Sequence, residues 1–159
     1  MGLANHGQSN LTDLTVQEAG VGVQSQAGSM NLSGLNVHNA SVGFATVSGA
    51  STLLDTFTGS GLALAIDAGN ADDFSLGNEN TLSGERFLVG QAVSSMDLPG
   101  VSFTASGVDT RPVMDVRCDG TCRLTQSAFD GPQVGLSWSG PGTSVMDNVA
   151  VNAVQQAVE

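Results

Sequence analysis

The chain is 159 residues long, a length that suits one domain, with 40% apolar residues and a formal net charge of −11. It has no lysine, and its four cations are arginines set against 15 carboxylates, so it offers no basic patch for a phosphate backbone and nucleic acid is excluded as a partner. No apolar run is long enough for a membrane-spanning helix, so membrane insertion is not expected, and the even spread of apolar residues argues against disorder.

An apolar triad recurs along the chain, with its second member three residues and its third five residues after the first. Leu11, Leu14 and Val16 begin it, and Leu32, Leu35 and Val37 repeat it. Leu54 and Phe57 come next, with Gly59 in the third place, and Leu76 marks the fourth turn. Leu98, Val101 and Phe103 form the fifth triad. Leu124 and Phe129 flank Ser127 in the sixth, and Met146, Val149 and Val151 close the series. A second apolar pair follows each of the first triads: Val21 with Val23, Val42 with Phe44, Leu64 with Ile66. A third alternating segment runs into the first member of the triad, as in Phe74 and Leu76 or Met96 and Leu98. Alternation with period two is the signature of strands, and Gly, Asn and Ser fill the intervals where tight or left-handed backbone is needed. Three short strands per period predict a stacked solenoid of about seven turns of roughly 22 residues.

Two places break the pattern. The interval from Leu98 to Leu124 holds an insertion of about four residues relative to the common period. In the fourth turn, counting from Leu76 would bury Glu79 without a partner, which is costly, so residues 77–81 are expected to bulge outward and Leu82 to resume the core.

The turns "NLTDLTVQEAGVGV", "NLSGLNVHNASVGF" and "SVMDNVAVNA" resemble those of the right-handed parallel β-helix, or pectate-lyase-like, superfamily. The resemblance covers nearly the whole chain and implies an all-β, right-handed parallel β-helix. It leaves function open, because polysaccharide lyases, hydrolases, phage tailspikes, adhesins and surface-layer repeats share that fold. A lyase of this kind needs a cationic base beside calcium-holding carboxylates, and a hydrolase needs two or three carboxylates close together. The outward column Thr15, Asn36, Thr58, Asn80, Ser102, Ala128, Ala150 offers neither, nor does the column containing Gln17, His38 and Ser60. These columns instead make Asn36, His38, Thr58 and Asn80 the candidate contacts for a polysaccharide or cell-surface glycan.

Two further sites stand out. Asp67, Asp72, Asp73 and Glu79 lie in a Gly- and Asn-rich stretch whose hard oxygen ligands suit calcium, the one cofactor the chain suggests. The alternative is a solvated acidic loop. Cys118 and Cys122, separated by Asp-Gly-Thr and assigned to the long period's insertion, are expected to form a disulfide, which implies an oxidising, extracellular setting. Arg117 and Arg123 interleave with Asp115 and Asp119, so local ion pairing is expected there, and Trp138 has the parity of a core residue.

The whole range 1–159 reads as a single β-helix domain, expected to be a segment of a longer secreted or surface protein with flanking domains. Three functions fit this reading. The first is a non-catalytic adhesin, stalk or carbohydrate-binding module, the second a fragment of a polysaccharide lyase or hydrolase. The third is a structural subunit that associates end to end.

Overall fold

The computed structural model describes residues 3–47, 49–106 and 111–158. Its strands are β1 (Leu3–His6), β2 (Ser9–Gln17), β3 (Val21–His38), β4 (Val42–Thr46), β5 (Ala50–Leu54) and β6 (Phe57–Gly69). They continue as β7 (Asp73–Leu76), β8 (Asn80–Pro99), β9 (Val101–Ala105), β10 (Met114–Ser139) and β11 (Thr143–Val158). Every pairing between them is parallel. The long strands bend round the corners of the coil, and the result is a parallel β-solenoid of about six stacked turns. Seven triads bound six complete turns, which reconciles this count with the triads of the sequence.

The triads are the inner columns of the solenoid. Leu11 pairs with Leu32, Leu32 with Leu54, and Leu54 with Leu76. Leu98 then pairs with Leu124, and Leu124 with Met146. The third members form a parallel column from Val16 through Val37, Gly59, Leu82, Phe103 and Phe129 to Val151. Each residue stands on its counterpart at the strand spacing of about 4.8 Å, so one apolar choice per turn builds a continuous core. All six phenylalanines are fully buried in it. Phe87, Phe103 and Phe129 form a three-ring cluster with centroids 5.6, 5.6 and 6.4 Å apart. Trp138 packs against the same core while half-buried.

In six of the seven triads the corner between the first and second members is made by left-handed backbone. Asp13, Gly34, Glu79, Gly100, Gln126 and Asn148 have φ between 51° and 75° and each directly precedes the second member. Such residues reverse the chain sharply, and Asn, Asp and Gly tolerate the conformation best. At Gly34 a Cβ would also meet Asp13 Oδ1 at 2.7 Å, so a side chain there would displace the Asp13 carboxylate.

The fourth turn carries one extra residue at this corner, since four chain steps separate Leu76 from Asn80 where three separate Leu54 from Phe57. Leu82 does resume the core, and Glu79 stays exposed. The extra residue shifts Asn80 from the outward column to the inner one, because a one-residue slip reverses the facing of a strand. Asn80 is fully buried, in line with Val101.

The insertion of the long period lies before the cysteines. Gly84 pairs with Ala105 and Leu88 with Met114, so nine chain steps face four. The extra residues therefore fall between Ala105 and Met114, a stretch that includes 107–110, outside the described residues. Cys118 and Cys122 form a disulfide with Cα atoms 6.1 Å apart, and both are fully buried. They pair with Val93 and Met96 of the coil beneath. The bridge thus occupies a core corner that the preceding coil fills with apolar side chains.

Candidate functional site

An open trough of about 600 Å³ runs along the stacking direction at the corner that follows the third member of the triad. Its walls come from successive coils: Glu18, Ala19 and Gly20, then Asn39, Ala40 and Ser41, then Gly61, Leu62 and Ala63. Glu85 and Ser106 extend it across two more coils. The depression exists because these corner residues are small or turned inward. Leu62 points into the core at 1% exposure, and Ala19, Gly20, Gly61 and Ala63 leave nothing that projects far.

Left-handed backbone recurs at this corner too, with φ of 52° at Glu18, 55° at Asn39 and 65° at Gly61. At Gly61 a Cβ would lie 2.5 Å from Asn39 Oδ1, so glycine is what lets the Asn39 amide lie against the coil above. The backbone groups are largely used between coils. Asn39 N donates to Ser60 O at 3.0 Å, Ser41 N to Ala19 O at 3.2 Å, and Ala63 N to Ala40 O at 3.2 Å. Hydrogen bonding to a ligand therefore falls to the side chains of Glu18, Asn39, Ser41, Glu85 and Ser106.

The charge in the trough is negative. Glu18 and Glu85 are exposed, and no arginine lines the walls. Arg86, next to Glu85, is half-buried; its Nε donates to Pro112 O at 3.0 Å and its guanidinium lies 4.0 Å from Asp115. The pairing pattern sets Glu85 in the column of Ala63, three coils above Gly20. Glu18 and Glu85 therefore have backbones at least about 14 Å apart, at roughly 4.8 Å per coil.

The residues singled out from sequence fall beside the trough, in the core, or apart from one another. Asn36 and Thr58 stack in one outward row, which runs Thr15, Asn36, Thr58, Thr81, Ser102. Thr81 holds the place that counting assigned to Asn80. Asn80 instead binds backbone: its Oδ1 accepts from Phe57 N at 2.8 Å and its Nδ2 donates to Gly77 O at 2.5 Å. His38 is half-buried, hydrogen-bonded through Nδ1 to Ser60 Oγ at 2.8 Å, and its row borders the trough one residue before Asn39.

The candidate calcium ligands do not converge. Asp67 ends a segment of β6 and its Oδ1 accepts from Gly69 N at 3.1 Å, while Asp73 opens β7 and accepts from Ser51 Oγ at 3.4 Å. Asp72 directly precedes Asp73, and Glu79 projects from the next corner. Among the described residues no three His, Cys, Asp or Glu side chains form a group able to hold a metal ion. The arginine-rich segment does pair locally, with Arg117 Nε 3.1 Å from Asp119 Oδ1.

Sequence reading missed Glu18, Asn39, Ser41 and Glu85 because it tracked alternating strand positions and the trough is made at a corner. The signal available was the stack of small residues in "EAG", "NAS" and "GLA", which align only once the coils are in register. No protein-family model, curated protein or solved structure matches the chain.

Proposed function

We propose that this chain is a non-catalytic β-solenoid segment of a secreted or cell-surface protein that binds a linear glycan along its trough. The observation that carries this reading is the direction of the trough. It crosses successive coils parallel to the stacking axis, so an extended polymer meets Glu18 on one coil, Asn39 and Ser41 on the next, and Glu85 beyond the small residues Gly61 and Ala63. Polar side chains on a rigid sheet-borne surface suit sugar hydroxyls, and rigidity limits the ordering cost of binding. The disulfide supports an oxidising compartment, where such bonds persist. Titration of the protein with neutral, acidic and basic oligosaccharides, read by calorimetry, tests the proposal. Binding of at least one class, weakened by Asn39→Ala/Ser41→Ala without loss of fold, supports it. Absence of binding to all three overturns it.

A second reading, end-to-end association, draws on the exposure of Val145 and Met146 on β11, 37% and 42%. Sedimentation at rising concentration separates the two, since a glycan binder that does not self-associate stays at monomer mass.

A further inference from the structure

We infer that the glycan suited to this trough is cationic, an extended chain carrying protonated primary amines, as in a polymer of glucosamine units. The inference rests on the glycan-binding reading above and adds the ligand's charge class.

Glu18 stands on one side of the trough in the first coil it crosses, in the column of Asn39 and Gly61. Glu85 stands on the other side, in the column of Ser41 and Ala63, three coils further on. Both are exposed and neither has an arginine among the lining residues to balance it. The chain as a whole carries −11, so its field reinforces the local sign. A uronate or sulfated chain would bring its anions against these carboxylates, and a neutral chain would offer them only uncharged hydroxyl donors. An amine-bearing chain gains two charge-assisted hydrogen bonds, which are stronger than neutral ones.

The spacing fits the same class. A pyranose unit advances by about the rise of one coil, roughly 4.8 Å, so a ligand laid along the trough places one unit on each coil. Units on the first and fourth coils then bring their amines to Glu18 and Glu85. Asn39 and Ser41, both on the second coil, offer neutral partners for the hydroxyls of the unit lying there. The floor of Ala and Gly leaves width for the rings without any aromatic platform, so affinity depends on these polar contacts rather than on stacking.

The test uses the full chain and two oligomers of equal length, a glucosamine hexamer and its N-acetylated form, with an oligogalacturonate as the anionic control. Calorimetry at low salt is expected to show the glucosamine hexamer bound about tenfold more tightly than the acetylated form, with no binding of the oligogalacturonate. Glu18→Gln/Glu85→Gln should remove that preference, and added salt should reduce it. Asp97→Asn/Asp147→Asn, which neutralises two carboxylates outside the trough, should leave it intact. Equal affinity for the two hexamers, or a preference lost equally in both double variants, overturns the charge assignment while leaving glycan binding standing. Failure of every oligosaccharide to bind removes the glycan reading as well.

Discussion

Asn80 Oδ1 accepts the backbone amide of Phe57 across one coil, at 2.8 Å, from a position where neighbouring coils place an aliphatic or aromatic side chain. The same device recurs two coils on, where Ser127 Oγ accepts from Val101 N at 3.2 Å and donates to Thr125 O at 2.9 Å. Both residues lie at the left-handed corner, where the chain reversal interrupts the ladder and exposes a buried amide to the core. A polar side chain there replaces apolar contact with a hydrogen bond the backbone requires.

Asn80→Ala should therefore destabilise the protein by about 2–3 kcal/mol, because it strands the Phe57 amide and the Gly77 carbonyl in the core. Urea unfolding measures this. A loss below about 0.5 kcal/mol would mean that the Asn80 bonds contribute no more than a surface substitution does.

Phe103 is fully buried in the three-ring cluster with Phe87 and Phe129, so its truncation leaves a cavity that close-packed neighbours fill only in part. Phe103→Ala is expected to cost about 3–5 kcal/mol. Leu35→Asp, which places a charge in the inner column between Leu14 and Phe57, should abolish folding. A cooperative transition near the parent's melting temperature for either variant would contradict the core assignment.

The Cys118–Cys122 bridge is buried with the core residues, so reductant should not reach it in the folded state. Thiol titration is expected to find no thiols in the unreduced protein, and reduction should require unfolding. The ring is short and constrains the unfolded chain little, so the effect of Cys118→Ala/Cys122→Ala comes mainly from lost packing, about 2–3 kcal/mol. Rapid reduction under native conditions would place the bridge at the surface.

Because no three of Asp67, Asp72, Asp73 and Glu79 gather among the described residues, millimolar calcium is expected to leave the melting temperature unchanged at low salt. A site that bound only the folded state would raise it by mass action. A rise of several degrees, lost in Asp72→Asn/Asp73→Asn, would show that these carboxylates gather round an ion.

The columns were legible from the sequence because a solenoid repeats one decision per coil. Leu11, Leu32, Leu54 and Leu76 are paired as the spacing requires. Errors arose where the period changed. The extra residue before Asn80 cannot be placed by counting, since alternation reads the same on either side of the slip, and only the pairing of Thr58 with Thr81 shows which residue faces out. The long period's insertion was assigned to the cysteines because Asp-Gly-Thr is a strong turn signal, yet that turn is a corner every coil needs in some form. The trough was invisible for a different reason. It is defined by what its side chains leave empty, and Ala, Gly and Ser at corners look like ordinary turn chemistry until the coils are stacked.

The most direct test of the account is an amide chemical-shift map of the labelled protein titrated with the glucosamine hexamer. Perturbations are expected to be confined to residues 18–20, 39–41, 61–63, 85 and 106, following the trough across the coils. Perturbations centred on Asn36 and Thr58, on the outward row of the adjacent strand, or none at saturating ligand, would contradict it.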